Sequence, residues 1–341
     1  MELDARKRKV LEAIIIDYIA TAEPVGSRTI ARKYDLGVSP ATIRNEMADL
    51  EEMGLIEQPH TSAGRIPSDA GYRFYVDCIM ERMVLASEAR TLIESTFQKK
   101  IKQIEDLIQL SLKTLSQMTN YTSLVLAPQL GKSTLQLIQL MLVEPGKALI
   151  VIVTDGGRVE NKIVDIPDTI TKTDLEIVSS VLNNKFKGLA TKEWDKTILK
   201  EVYAYLLKQQ KVVTLALDFL DSLLGEDIEE KVYFAGALNI LNQPEFKDVT
   251  KVKSLFELLE DENIVSSMLK DDKEEGVQVK IGSENKLDIV KDCSIITATY
   301  RLDGKVLGTV GLLGPTRMNY SQAVSVMDFL TQTLSSSLKK I

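Results

Sequence analysis

Ser39-Pro40-Ala41-Thr42-Ile43-Arg44-Asn45-Glu46-Met47-Ala48-Asp49-Leu50-Glu51-Glu52-Met53-Gly54 carries the clearest helix signal in the chain. Ser39 suits an N-cap, Pro40 suits the first helical position, where its missing N–H is no loss, and Gly54 supplies a stop. At helical spacing Ile43, Met47 and Leu50 fall within one narrow arc and must pack inward, which turns Ala41, Thr42, Asn45, Ala48 and Asp49 outward. The outward face is small and polar near its start and acidic further on, so only its first two turns suit an approach to a polyanion.

Upstream, Val10, Leu11, Ile14, Ile15, Tyr18 and Ile19 make one apolar stripe, which predicts a helix over residues 4–21. Glu23-Pro24-Val25-Gly26 ends it, Ser27 is expected to cap a short helix through Lys33, and Tyr34-Asp35-Leu36-Gly37 makes the next turn. Three short helices with tight turns are a helix-turn-helix unit. Downstream, Leu55-Ile56-Glu57-Gln58 and Arg65-Ile66 pair as short strands around Pro59-His60-Thr61-Ser62-Ala63-Gly64, a wing by position and an ordinary hairpin by pattern alone. Ser68 caps a further helix, whose Tyr72, Phe74, Tyr75, Val76 and Ile79 read as packing rather than base-stacking.

The chain has 341 residues, enough for two or three domains; 44% are hydrophobic and 27% charged, the balance of a globular protein. The first ten residues mix both charge signs, unlike a signal peptide, and no stretch approaches the roughly 18 apolar residues of a membrane helix. Cys78, Cys293 and one histidine, His60, leave no basis for a disulfide framework or a Cys/His metal site, and this fits a reducing cytoplasm. Net charge is -7, and residues 1–82 hold eleven basic and fourteen acidic residues, so the usual criterion of a basic nucleic-acid-binding domain fails. Between Pro24 and Asn45, however, Arg28, Arg32, Lys33 and Arg44 face only Asp35, and the field there is positive.

Beyond residue 85 an amphipathic helix is expected over 87–119, then strands over 121–127, 135–143, 147–153 and 158–164, with turns at Glu144-Pro145-Gly146 and Asp155-Gly156-Gly157. Helices are expected over 173–187, 192–224, 229–241 and 249–270. Strands follow over 277–281, 293–300 and 305–313, turned at Asp303-Gly304, before a last helix over 320–339. This is an α+β multidomain chain. Gly131-Lys132-Ser133-Thr134 resembles the end of a phosphate loop but lacks the required glycine, since Leu126 stands there. No clustered acid, base, nucleophile or metal-ligand set is present, so no enzyme, cofactor or metal is expected.

Pro24 to Ser27, Ser39 to Met47 and Gln58 to Pro67 closely resemble the HrcA family of heat-inducible transcription repressors. The resemblance continues in order through Phe234-Ala235-Gly236, Leu241-Asn242-Gln243-Pro244-Glu245-Phe246, Ile281-Gly282-Ser283-Glu284-Asn285 and Gly314-Pro315-Thr316-Arg317-Met318-Asn319-Tyr320. It implies a winged helix over 1–85, a GAF-like domain over 86–134 and 226–341, and a dimerising domain inserted over 135–225. It further implies a homodimer on an inverted-repeat operator in double-stranded DNA of chaperone operons, active with support from the GroE-type chaperonin. A metabolite-responsive regulator with a ligand-binding GAF-like domain is the alternative.

Asn45 and Arg44 are the candidate base contacts, because an amide pairs bidentately with adenine and a guanidinium with guanine; Arg44 also suits a phosphate. Ser39, Ala41 and Thr42 at the helix start, and Ser27 and Arg28 at the preceding one, suit phosphates. His60, Thr61, Ser62 and Arg65 belong to the wing.

Overall fold

The computed structural model describes residues 3–60, 64–97, 104–127, 134–154, 159–189, 231–270, 276–302 and 304–339. The expected helix over 192–224, the turns at Asp155-Gly156-Gly157 and Asp303, and Gly131 to Ser133 lie outside the described residues. The chain divides into two compact units, one of residues 1–101, 105–127 and 232–341, the other of residues 102–104 and 128–231.

Unit 1 begins with α1 (Ala5–Thr21), whose N-cap Asp4 accepts the amides of Arg6 and Lys7, and whose Val10, Leu11, Ile14 and Ile15 are buried. Next come α2 (Ser27–Lys33) and α3 (Pro40–Glu52). The N-cap of α2 is Gly26, not Ser27 as expected: the extended backbone at Gly26 places Ser27 inside the first turn. Ser39 caps α3 as the sequence predicts, accepting the Thr42 amide at 3.2 Å, and Ile43, Met47 and Leu50 are buried.

Strands β1 (Ile56–Glu57) and β2 (Ile66–Pro67) pair antiparallel, Ile56 opposite Pro67. A third element joins them that local pattern does not reveal: Val25 and Arg65 exchange backbone hydrogen bonds of 2.8 and 2.9 Å. Gly64 permits this approach, because a Cβ there would lie 2.5 Å from the Val25 carbonyl. Ser68 caps α4 (Asp69–Cys78), in which Tyr72 and Tyr75 are buried, as packing requires.

The rest of unit 1 includes α5 (Ser87–Phe97) and α6 (Ile104–Thr119), the described parts of the long helix expected there. Its strands are β3 (Thr122–Leu126), β7 (Val232–Ala235), β8 (Val277–Ile281), β9 (Cys293–Leu302) and β10 (Lys305–Pro315). They form an antiparallel sheet in the order β7-β3-β10-β9-β8. Leu124, Leu126, Ile295 and Leu313 pack with Leu255, Leu258, Val265 and Leu269 of α8 (Val249–Glu260) and α9 (Glu262–Lys270). Their strand neighbours Val125, Ile296 and Leu312 point to the opposite face by alternation and are equally buried. The closing helix α10 (Tyr320–Leu338) packs along β9.

Two expected helices are corrected here. Over 229–241 the described residues give β7 and a 3-10 turn, Ala237–Asn242, because Val232 to Ala235 pair with β3 and Gly236 turns the chain at φ 71. Over 249–270 one helix becomes two, since Asp261 leaves the helical conformation and its carboxylate accepts the amides of Asn263 and Ile264.

Unit 2 holds the expected meander β4 (Leu135–Glu144), β5 (Lys147–Thr154) and β6 (Val159–Asp165), with α7 (Lys172–Phe186) on one face. Its core gathers Leu135, Ile138, Leu140, Ile150, Leu175, Val178, Leu182 and Phe186. The open edge of β4 is satisfied by α7: Asn183 accepts the Ile138 amide and donates to its carbonyl, and Ser179 accepts the Leu140 amide. Among the described residues no helix is long and apolar enough to cross a membrane.

Candidate nucleic-acid interface

The start of α3 stands open. Ser39, Ala41, Arg44, Asn45 and Ala48 are exposed and Thr42 is half-buried. The Ser39 hydroxyl serves the cap and meets Thr42 Oγ1 at 3.0 Å. No acidic side chain lies in the first turn, so the positive end of the helix dipole is left for an outside anion.

Three acids further along α3, Glu46, Asp49 and Glu51, are paired with bases of α1 and the wing. Lys7 of α1 meets Glu46 at 3.0 Å and Asp49 at 2.9 Å, Arg6 meets Glu46 at 3.3 Å, and Arg65 meets Glu51 at 2.7 Å. Bonds to Asp49, Glu46 and Asp4 hold the Lys7 ammonium well above its ordinary range. These pairs fix the bearing of α3 on α1 and β2, and they reduce the charge that would repel phosphate. The sequence reading missed them, although Lys7, Glu46 and Asp49 each lie on helices whose apolar faces were legible.

Of the positive residues around the turn, Arg28, Arg32 and Arg44 are exposed and unpaired among the described residues. Lys33 is engaged at 2.6 Å by the buried carboxylate of Asp17, which ties α2 to α1. Ser27 is buried beside Arg28, so of that pair only Arg28 offers its side chain to a phosphate. His60 is exposed at the wing, while Thr61 and Ser62 lie outside the described residues. Arg65 has an internal partner: its guanidinium bonds Glu51 through both Nε and Nη2, with 21% of the side chain exposed, and it fastens the wing to α3.

Arg28→Ala is expected to weaken binding to every duplex sequence and to flatten the slope of log K against log salt by about one, the signature of one lost phosphate contact. Titrations at several salt concentrations check this; an unchanged slope rejects the contact.

Comparison with known proteins agrees with this geometry. Residues 2–75 match the family described as "Winged helix-turn-helix transcription repressor, HrcA DNA-binding", and residues 105–324 match "HrcA protein C terminal domain". The chain is 50% identical to the heat-inducible transcription repressor HrcA of Desulfitobacterium hafniense over 99% of this chain and 98% of that one. It is 49% identical to that of Pelotomaculum thermopropionicum over 100% of this chain and 98% of the relative. A crystal structure titled as a hypothetical protein at 2.2 Å resolution superposes with a TM-score of 0.66 at 25% identity, covering 99% of each chain. The chain therefore belongs to the HrcA family of heat-inducible transcription repressors, DNA-binding proteins rather than enzymes.

Proposed function

We propose that this chain represses chaperone operons by binding an inverted-repeat operator as a homodimer, and that a GroE-type chaperonin sustains its activity. The observation that carries the reading is the open start of α3, with Arg44 on that helix and Arg28 and Arg32 on α2 unpaired among the described residues. In the proposed complex Asn45 and Arg44 reach base edges in the major groove, Ser39, Ala41, Thr42 and Arg28 hold phosphates, and His60, Thr61 and Ser62 line the wing. One reading helix per chain needs a second copy to match a two-fold site.

The proposed three-part division is a winged helix over 1–85, a GAF-like domain over 86–134 and 226–341, and a dimerising insert over 135–225. A five-stranded antiparallel sheet covered by helices supports the GAF-like reading. The insert presents Leu137, Met141, Val143 and Ile163 exposed on its meander, and such apolar groups on one sheet support pairing there. An operator and a chaperonin both place the work in the cytoplasm.

Footprinting on the promoter of the chaperonin operon from the same genome tests the proposal. Protection of both arms of a repeat, strengthened when chaperonin is added, is the expected result. Protection of one arm alone contradicts the dimer, and indifference to chaperonin contradicts the dependence.

A further inference from the structure

The segment Gly314 to Tyr320 joins the last strand to the last helix, and the DNA contacts described above leave it unused. Within unit 1 it meets the winged helix directly. The Arg317 guanidinium bonds the Glu245 carboxylate through Nε, the Gln243 side chain at 3.1 Å through Nη2, and the backbone carbonyl of Ile19 at 2.9 Å through Nη1. Ile19 lies in the last turn of α1, where carbonyls lack intrahelical partners; Tyr18 there is served by the Ala22 amide and Ile19 by Arg317. Arg317 thus caps the helix to which α2 is tied by Asp17 and Lys33, and α3 by Arg6, Lys7 and Glu46.

A second anchor lies on α4. The Asp69 carboxylate accepts the Ser283 amide at 2.8 Å, and Arg73 bonds both oxygens of Glu284 and the Val279 carbonyl. Gly282, at φ 50, is required for this approach, since a Cβ would lie 2.2 Å from the Asp69 oxygens. Between the anchors the buried rings of Tyr72 and Tyr320 meet with centroids 5.7 Å apart.

We propose that residues 314–320 form a coupling joint, in which Arg317 is a positioning residue that ties the bearing of α3 to the packing of the C-terminal part of unit 1. The joint is built to release. Both anchors are polar, and among the described residues Tyr72 Oη and Glu245 Oε2 are buried without a hydrogen-bond partner. Water would satisfy both once the joint opened, which lowers the cost of opening. Whatever loosens the sheet and α10 then frees the winged helices from the relative placement that a two-armed site demands.

The test uses the full chain with Arg317→Ala and, at the other anchor, Glu284→Gln. Binding is measured on a single half-site, on the inverted repeat, and on a repeat whose arms are moved by about half a helical turn, roughly 5 base pairs. In parallel, 15N relaxation reports whether the amides of α1 to α4 tumble with the rest of unit 1. Arg317→Ala is expected to keep half-site affinity, to lose about tenfold or more on the native repeat as avidity falls, to discriminate spacing less, and to show faster tumbling of α1 to α4. Glu284→Gln should move each readout the same way by less. Wild-type spacing preference and tumbling in both variants overturn the joint, and so does an equal loss on half-site and repeat, which makes Arg317 a plain support of the winged-helix fold. If the wild type itself binds repeat and half-site alike, the dimer reading fails, and the relaxation comparison still decides the joint.

Discussion

Phe186→Ala is expected to destabilise unit 2 by about 3 to 5 kcal/mol while leaving unit 1 folded. The ring ends α7 and is wholly buried among Leu135, Ile138 and Leu182. Just beyond it the chain closes on the start of β4, where Gly188 donates to the Leu135 carbonyl at 2.7 Å and Leu135 donates to Leu189 at 3.0 Å. Truncation empties the space beneath that closure, and a domain holds only about 5 to 15 kcal/mol in total. Calorimetry of the full chain should show one transition moved to lower temperature and another unmoved. Under the proposed pairing, affinity for the inverted repeat should also fall toward that of a single half-site. A transition that stays in place contradicts the packing described for unit 2.

The winged helix was legible because its signals are local. Asp4, Ser39 and Ser68 cap helices within three residues of themselves, and the stripes of α1 and α3 name their own buried faces. What escaped depends on partners distant in sequence. Val232 to Ala235 became a strand because Ser123 to Leu126 lie beside them, more than a hundred residues earlier in the chain. The Val25 to Arg65 bridge is one residue long on each side and leaves no alternating pattern. Asp261 is different: an aspartate in the polar stretch Glu260-Asp261-Glu262-Asn263 between two apolar segments is a cap signal open to reading, and the apolar periodicity on either side hid the break. At the interface, exposure of Ala41, Asn45 and Ala48 followed from helical geometry alone. The engagement of Arg65 by Glu51 did not, because it depends on the wing folding back against α3.

Asn45→Ala is expected to lower affinity for the operator by roughly 1 to 3 kcal/mol per arm, about 5- to 150-fold, and to leave non-specific binding nearly intact. Asn45 is exposed in the second turn of α3 and has no hydrogen-bond partner among the described residues. Alanine is the better helix former, so the substitution removes no internal support and the winged helix should stay folded. The loss then reports on base contact alone, since phosphates held by the helix start and Arg28 carry no sequence information. Titrating the wild type and Asn45→Ala against the inverted repeat and against a scrambled duplex at one salt concentration compares the two terms directly. A specificity ratio that shrinks in the variant while scrambled binding holds is the predicted result; an unchanged ratio would contradict the assignment of the exposed start of α3 as the surface that reads DNA.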